Sequence, residues 1–115
     1  MIERLEVGAR MSRVVKHNGV VYLAGLTADD LSQDVAGQTR QVLEKAVVRL
    51  TSAGTDKTML LTATIWLREI EDFDRMNSVW EAWIDAGNPP ARATCEARLA
   101  DDDILVEIVL TAACP

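Results

Sequence analysis

The segment Pro89-Pro90-Ala91-Arg92-Ala93-Thr94-Cys95-Glu96-Ala97 predicts a β-strand that begins directly after two prolines. Proline suits the first position of a strand but not its middle, where it would remove a ladder hydrogen bond. Side chains alternate between the two faces of a strand. One face of this strand therefore carries Ala91, Ala93, Cys95 and Ala97, and the other carries Arg92, Thr94 and Glu96. We expect the small face to receive a closely packed helix, with Cys95 in the core.

A second stretch, Leu105-Val106-Glu107-Ile108-Val109, predicts another strand that is apolar on both faces apart from its glutamate. A single arginine and a single glutamate on otherwise apolar strands cost free energy if they are buried without partners. Arg92 and Glu107 are therefore candidates for a functional site.

The rest of the chain predicts the order β-β-β-α-β-α-β-β. Alternating or continuous apolar runs predict strands at residues 2–7, 13–17, 20–24, 59–67, 91–97 and 104–112. Asn18-Gly19 joins the second and third of these strands, and this dipeptide is the strongest short signal for a tight hairpin.

Two segments with apolar residues at helical spacing predict the two helices. The first begins after Asp34, buries a face that includes Val47, and ends at Gly54. The second begins after Asp72, has Phe73, Met76, Trp80, Trp83 and Ile84 as its apolar positions, and ends at Gly87.

Two helices of this kind can cover only one face of the sheet. The strands at 20–24 and 104–112 are nevertheless apolar on both faces. The second face therefore needs a cover that one chain does not contain, and a homo-oligomer that packs sheet against sheet would supply it. A chain of 115 residues is expected to form one domain, residues 1–115.

The composition narrows the classes of function. A net charge of −6 argues against a nucleic-acid or anionic-membrane partner, since both need a basic surface. No signal peptide and no apolar run of roughly 20 residues is visible. Cys95 and Cys114 lack framework spacing, so we expect free thiols in a cytoplasmic protein. With His17 as the only histidine, no metal site is expected.

Three polar residues have two interpretations each. Arg92 either binds a substrate carboxylate as a bidentate fork or forms an ion pair with an acid such as Glu96. Glu107 either orients water or exchanges a proton, or it forms a salt bridge to Arg92 or to an arginine of another subunit. Asn77 either contacts a ligand through its amide or borders the core with bonds to backbone.

Four segments resemble the Rid family, whose members are also called YjgF-like or endoribonuclease L-PSP proteins. The segments are Val21-Tyr22-Leu23-Ala24-Gly25, Asn77-Ser78-Val79-Trp80-Glu81-Ala82-Trp83, Pro90-Ala91-Arg92-Ala93-Thr94 and Val106-Glu107-Ile108. The resemblance extends nearly from end to end. The Arg10-Met11-Ser12 opening and the Trp-Glu-Ala-Trp helix are most similar to a YoaB-like branch.

The resemblance implies a chorismate-mutase-like α+β fold and a homotrimer with the sheets inside and the helices outside. It also implies three clefts, each lined by two chains. The implied activity is hydrolysis of reactive 2-imino or enamine acids, such as 2-aminoacrylate and 2-iminobutyrate, to 2-oxo acids and ammonia. Neither a metal nor an organic cofactor is implied.

The family's functional positions fall on residues of this chain. The carboxylate-binding arginine falls on Arg92 and the water-positioning glutamate on Glu107. Gly25 falls on the glycine that borders the cleft, Thr94 on the position two past the arginine, and Asn77 near the helix asparagine.

The chain departs from the family at several cleft positions, and these departures affect substrate choice and turnover. Met11 replaces a common aromatic residue, Ala24 a common serine, Leu26 a common glutamine and Thr94 a common cysteine. The alternative function is a non-catalytic trimer that binds small carboxylates or a protein partner. A further alternative is hydrolysis in another pathway, such as an aminoacrylate or carbamate step. The family's ribonuclease label fits less well, because the chain is acidic and lacks a histidine pair.

Overall fold

A computed structural model of the chain, which describes residues 1–115, contains the six strands and two helices in the predicted order. They are β1 (Glu3–Val7), β2 (Ser12–His17), β3 (Val20–Leu23), α1 (Val35–Ser52), β4 (Leu60–Leu67), α2 (Phe73–Trp83), β5 (Ala91–Glu96) and β6 (Val106–Ala113). Short 3₁₀ turns at Lys57–Met59 and Ile70–Asp72 precede β4 and α2. Neither α-helix has the length and apolar character that crossing a membrane requires.

The strands form one mixed sheet in the order β1-β2-β3-β6-β4-β5. Only β4 and β5 are parallel, and α2 is the crossover between them; every other neighbouring pair is antiparallel. The predicted hairpin is confirmed, because Asn18 and Gly19 both have positive φ, at 50° and 76°. β5 lies at one edge of the sheet, with a single neighbour.

Both helices pack on one face of the sheet, so the predicted α+β architecture is confirmed. The core combines alternate residues of the inner strands with one side of each helix, as in Val21, Ile65, Ile108, Leu43 and Met76. The molecule measures 41 × 37 × 20 Å, a thickness that fits two layers. The opposite face of the sheet, called the open face below, has no cover, and Tyr22 on it is 47 % exposed.

The first helix has the predicted ends. The Asp34 carboxylate accepts a hydrogen bond from the backbone N–H of Gly37 at 2.9 Å, and Gly54 takes the left-handed conformation at φ 87°. Val47, predicted on the buried face, is 44 % exposed. Gln38 and Thr39 are buried on this helix instead, because their polar atoms find backbone partners.

The second helix has the predicted apolar side but not the predicted capping. Asp72 stands at its first boundary, yet its carboxylate accepts from Arg75 rather than from a helix N–H. The helix ends at Trp83, because Ile84 has extended backbone with ψ 146°. Gly87 therefore lies in the turn before β5 rather than at the helix end.

The prediction that the small face of β5 packs under a helix is wrong. In the register of the parallel pair, Arg92 lies beside Ala63 and Thr94 beside Ile65, and both partners belong to the helix-covered core. Cys95 is therefore on the open face and exposed, rather than in the core. The crossover by α2 decides which face is covered, and the alternation of side chains alone cannot reveal it.

Candidate functional site

The guanidinium of Arg92 lies under one side of α2. Its Nη1 donates a 2.6 Å hydrogen bond to Oδ1 of Asn77. Its Cζ lies 5.8 Å from the ring centroid of Phe73 and 5.6 Å from that of Trp80. The crossover places α2 over β5, and the i, i+4, i+7 spacing of these three helix residues turns them toward the same side chain.

No carboxylate of the chain neutralises Arg92. The five ion pairs of the structure involve other cations. Glu96, the acid proposed as its structural partner, instead accepts a hydrogen bond from the backbone N–H of Ile70 at 3.0 Å. A half-buried guanidinium without a counter-ion is suited to bind an anion, above all a planar carboxylate.

Thr94 lies two residues beyond Arg92 on the same face of β5. Its Oγ1 is the only buried side-chain polar atom without a hydrogen-bond partner. An unpaired buried hydroxyl costs about 1–3 kcal/mol. Such a group therefore distinguishes this part of the molecule from the rest of the core, where the polar atoms are paired.

Glu107 lies on the other face of the sheet. Its register partner on β4 is Trp66, which alternates with the core residues Ile65 and Leu67. Arg92 is on the helix-covered face, so the salt bridge between Arg92 and Glu107 considered above does not form within one chain. The Glu107 carboxylate has no ion-pair partner in the structure.

Gly25 borders the Glu107 carboxylate closely. A Cβ atom added to Gly25 would lie 2.1 Å from Oε2 of Glu107, closer than real atoms approach. Two hydrogen bonds between the backbones of Leu26 and Ile108, at 2.9 and 3.1 Å, hold the segment after β3 against β6. The Glu107 carboxylate therefore occupies space that a side chain at residue 25 would otherwise fill.

Burial raises the pKa of Glu107 above its ordinary value of 4.5, because desolvation disfavours the charged form. A carboxylate of this kind keeps its proton to a higher pH than a solvated glutamate does. It is consequently better suited to exchange a proton with a bound molecule than a solvated glutamate is.

The site residues predicted from the sequence thus form two groups. The Arg92 half-site consists of Arg92, Asn77, Thr94, Phe73 and Trp80, and the Glu107 half-site consists of Glu107 and Gly25. One chain does not bring the two half-sites together, because they lie on opposite faces of the sheet.

Phe73 and Trp80 were missed as contacts of Arg92 by sequence reasoning, which assigned them to packing. The sequence does place Phe73 and Trp80 on the same side of the helix as Asn77, through their spacing. Only the crossover in the structure shows that this side of the helix meets β5. Two of the positions at which the chain departs from the family's common residues differ in environment: Met11 is 55 % exposed, whereas the Leu26 side chain is buried in the core.

One group of carboxylates could share a cation. Glu69, Glu71 and Glu96 have ligand oxygens within 4.8 Å of one another, and all three are exposed. Glu96 already accepts from Ile70, so the group forms part of the solvated surface and does not involve either half-site.

The fold and the two half-sites define a small α+β protein of the chorismate-mutase-like class. The family described as Endoribonuclease L-PSP matches residues 1–114, and the chain belongs to this family. A RutC family protein of Haemophilus ducreyi is 43 % identical over 113 residues, which are 98 % of this chain and 97 % of that protein. The RutC family protein YoaB of Escherichia coli is 38 % identical and covers 97 % of each chain.

Solved structures agree with the family and with the fold. NMB1025 from Neisseria meningitidis, a member of the YjgF protein family, superposes with a TM-score of 0.97 at 39 % identity. The alignment covers 100 % of this chain and 96 % of that one. The resemblance to the Rid family and to its YoaB-like branch is therefore confirmed.

Proposed function

We propose that the chain is a hydrolase that deaminates reactive 2-imino and enamine acids to 2-oxo acids and ammonia, in clefts between the subunits of a homotrimer. The observation that carries the proposal is the uncompensated guanidinium of Arg92, held half-buried with donors free for a carboxylate. Substrates of the 2-aminoacrylate and 2-iminobutyrate type present such a carboxylate beside the reacting carbon.

The placement of the half-sites supports an oligomer. Arg92 is on β5, an edge strand that another subunit can approach, and Glu107 is on the open face, which one chain leaves without a cover. Packing three sheets around an axis would cover this face and would set the Glu107 half-site of one subunit against the Arg92 half-site of the next. Each cleft would then be complete only in the assembly.

The chemistry follows from the groups available. Arg92 binds the carboxylate and fixes the position of the imine carbon, which is already electrophilic. Glu107 accepts a proton from water as the oxygen attacks this carbon, and it returns a proton to nitrogen. Glu107 then takes the proton of the new hydroxyl group and passes it to nitrogen as the C–N bond breaks, so that one imino acid and one water give one 2-oxo acid and one ammonia. An enamine acid enters the same sequence after it tautomerises to the imine. Gly25 leaves room for the carboxylate of Glu107, and Asn77 and Thr94 complete the polar lining on the arginine side.

The alternative is a non-catalytic trimer that binds small carboxylates or a protein partner. One observation favours it: the Arg92 half-site contains everything needed to bind a carboxylate without Glu107. A Glu107→Ala variant that binds 2-oxo acids normally, in a protein whose wild type turns over no imine, would support this alternative.

The proposal also includes a cytoplasmic location and no nucleic-acid or membrane partner. Its support is the pair of free cysteines, Cys95 and Cys114, of which the first is exposed. The net charge of −6 adds to this, because polyanions repel an acidic surface.

The experiment measures release of ammonia and 2-oxo acid from freshly generated 2-iminobutyrate and 2-aminoacrylate, relative to the spontaneous rate. Wild type, Arg92→Ala and the control Arg98→Ala are run together, since Arg98 is an exposed arginine without an ion pair. We expect wild type and the control to accelerate hydrolysis and Arg92→Ala to match the spontaneous rate. An Arg92→Ala variant as active as wild type would refute the proposal.

A further inference from the structure

One side of α2 holds the guanidinium of Arg92 with neutral groups only. Phe73, Asn77 and Trp80 follow one another at spacings of four and three residues, so they share one side of the helix. Each of the three contacts the guanidinium: the two aromatic rings have centroids within 6 Å of Cζ, and the amide oxygen accepts from Nη1.

This arrangement preserves the positive charge. An aromatic ring attracts a cation through its quadrupole and contributes no counter-charge. An acidic partner would fix the arginine equally well, but it would neutralise the guanidinium and compete with an anionic ligand. Holding Arg92 by two rings and an amide therefore fixes the position of the guanidinium and leaves its charge available.

The donors of the guanidinium are also left available. A guanidinium has five N–H donors, and the structure commits one nitrogen, Nη1, to Asn77. The rings lie over the guanidinium and accept no conventional hydrogen bond from its edge. The remaining donors are enough for a bidentate pair with one carboxylate.

The two rings differ in exposure. Trp80 is 6 % exposed and belongs to the core, whereas Phe73 is 38 % exposed and lies at the rim of the half-site. A change at Trp80 therefore affects packing as well as the arginine. A change at Phe73 acts mainly on the arginine, because little of the core rests on this ring.

We infer that Phe73 and Trp80 are positioning residues, which hold the Arg92 guanidinium in place and without a counter-charge for the carboxylate of the ligand. This rests on the proposed function, from which the ligand is taken to be a 2-imino or 2-oxo acid. Neither ring takes part in the chemical step. Their loss should weaken the binding of substrate and transition state alike, because the carboxylate is bound in both.

The test measures Kd for pyruvate and for its uncharged analogue pyruvamide by calorimetry. The proteins are wild type, Phe73→Leu, Trp80→Leu and Trp80→Phe. A cation–π contact removed from a partly desolvated site should raise Kd for pyruvate by about five- to thirtyfold in each leucine variant. Pyruvamide, which has no carboxylate, should bind wild type and Phe73→Leu equally weakly. The Trp80→Phe variant should retain most of the affinity for pyruvate, because it keeps an aromatic ring.

Trp83→Leu is the matched control. Trp83 is on the same helix, and its ring centroid lies 5.7 Å from that of Trp80, but its cation contact is Lys57 rather than Arg92. We expect this variant to bind pyruvate as wild type does. Loss of affinity in Trp83→Leu equal to that in Phe73→Leu would overturn the inference, because loosened packing would then explain both.

Kinetics supply a second readout. In Phe73→Leu we expect KM for 2-iminobutyrate to rise with little change in kcat. Wild-type affinity for pyruvate in Phe73→Leu would overturn the inference and leave the proposed function intact. Conversely, raised Kd values in the leucine variants of a protein that hydrolyses no imine would support the inference and refute the deaminase.

Discussion

At the scale of single residues, the Glu107 half-site depends on the absence of a side chain at Gly25. The backbone of Gly25 has no positive φ, so the need for glycine comes from space rather than from conformation. The atom that a Cβ would meet is the far end of a flexible side chain. The Glu107 carboxylate can therefore move away from an added side chain. This movement changes the free energy of unfolding little, but it takes the carboxylate out of the position that it has in the half-site.

Gly25→Ala should accordingly separate stability from activity. We expect turnover of 2-iminobutyrate to fall at least about tenfold, which corresponds to roughly 1.4 kcal/mol in the barrier, while the melting temperature changes little. Gly87→Ala is the control, because a Cβ there meets nothing nearer than 3.8 Å. Equal activity of the two alanine variants would contradict the role given to Gly25.

The raised pKa of Glu107 predicts how stability depends on pH. The folded protein keeps the Glu107 proton to a higher pH than the unfolded chain, whose pKa is the ordinary 4.5. The contribution of the protonated Glu107 side chain to stability is therefore fully present below pH 4.5 and is lost as pH rises through the raised pKa. Glu107→Gln has no such titration.

Thermal unfolding of wild type and Glu107→Gln, measured at pH values on both sides of the Glu107 titration, tests the predicted direction of this pH dependence. We expect wild type to lose stability relative to the variant as pH rises, because only wild type must desolvate a charge. A difference between the two melting temperatures that stays constant, or that changes in the opposite direction, would show that burial does not disfavour the Glu107 carboxylate.

At the scale of elements, the buried amide of Gln38 on α1 holds two loop segments by hydrogen bonds, the loop before α1 and the segment before β6. Its Nε2 donates to the backbone carbonyls of Leu31, Gln33 and Asp103, and its Oε1 accepts from the N–H of Leu105. These bonds engage residues just before β6. They explain why β6 begins at Val106 rather than at residue 104.

Gln38→Leu should be strongly destabilising, because it leaves buried backbone groups unpaired. We expect a loss of about 2–4 kcal/mol in the free energy of unfolding, measured with denaturant. Gln41→Leu is the matched control: its amide bonds Asp29 and Asp30 at the exposed surface, where water can replace it at a cost below about 1 kcal/mol. Equal losses in both variants would contradict this account of Gln38.

The elements also show what the sequence could predict. Periodicity and turn residues predicted the order of the strands and helices, and the Asn18-Gly19 hairpin, because these signals are local. The covered face of β5 was predicted incorrectly, since small residues suit close packing of any kind and the α2 crossover decides the face. Arg92 and Asn77 were predicted separately, but their contact and that of Phe73 depend on a helix and a strand meeting in space.

At the scale of the whole molecule, the open face of the sheet predicts the assembly. Val109, half-buried on this face beside Thr64, would lie between packed sheets in a trimer. Val109→Asp should give a folded monomer without activity, because a buried unpaired charge is costly. Val48→Asp, on the helix side where Val48 is 69 % exposed, should leave the proposed trimer and the proposed activity unchanged.

Sedimentation and circular dichroism of these two variants distinguish assembly from folding. A Val109→Asp protein that remains trimeric would show that the open face is not the subunit interface. Dissociation of the Val48→Asp control would locate an interface on the helix layer instead.

The most direct test of the central claim, that each site combines half-sites of two subunits, is complementation between two inactive variants. Arg92→Ala and Glu107→Ala chains are co-expressed with different tags, and the mixed oligomers are purified and assayed with 2-iminobutyrate. We predict that each variant alone is inactive, and that the purified mixed trimers have about a third of wild-type activity, because a ring of three chains of two kinds contains one cleft with two intact half-sites. Mixed oligomers as inactive as either parent would contradict the account.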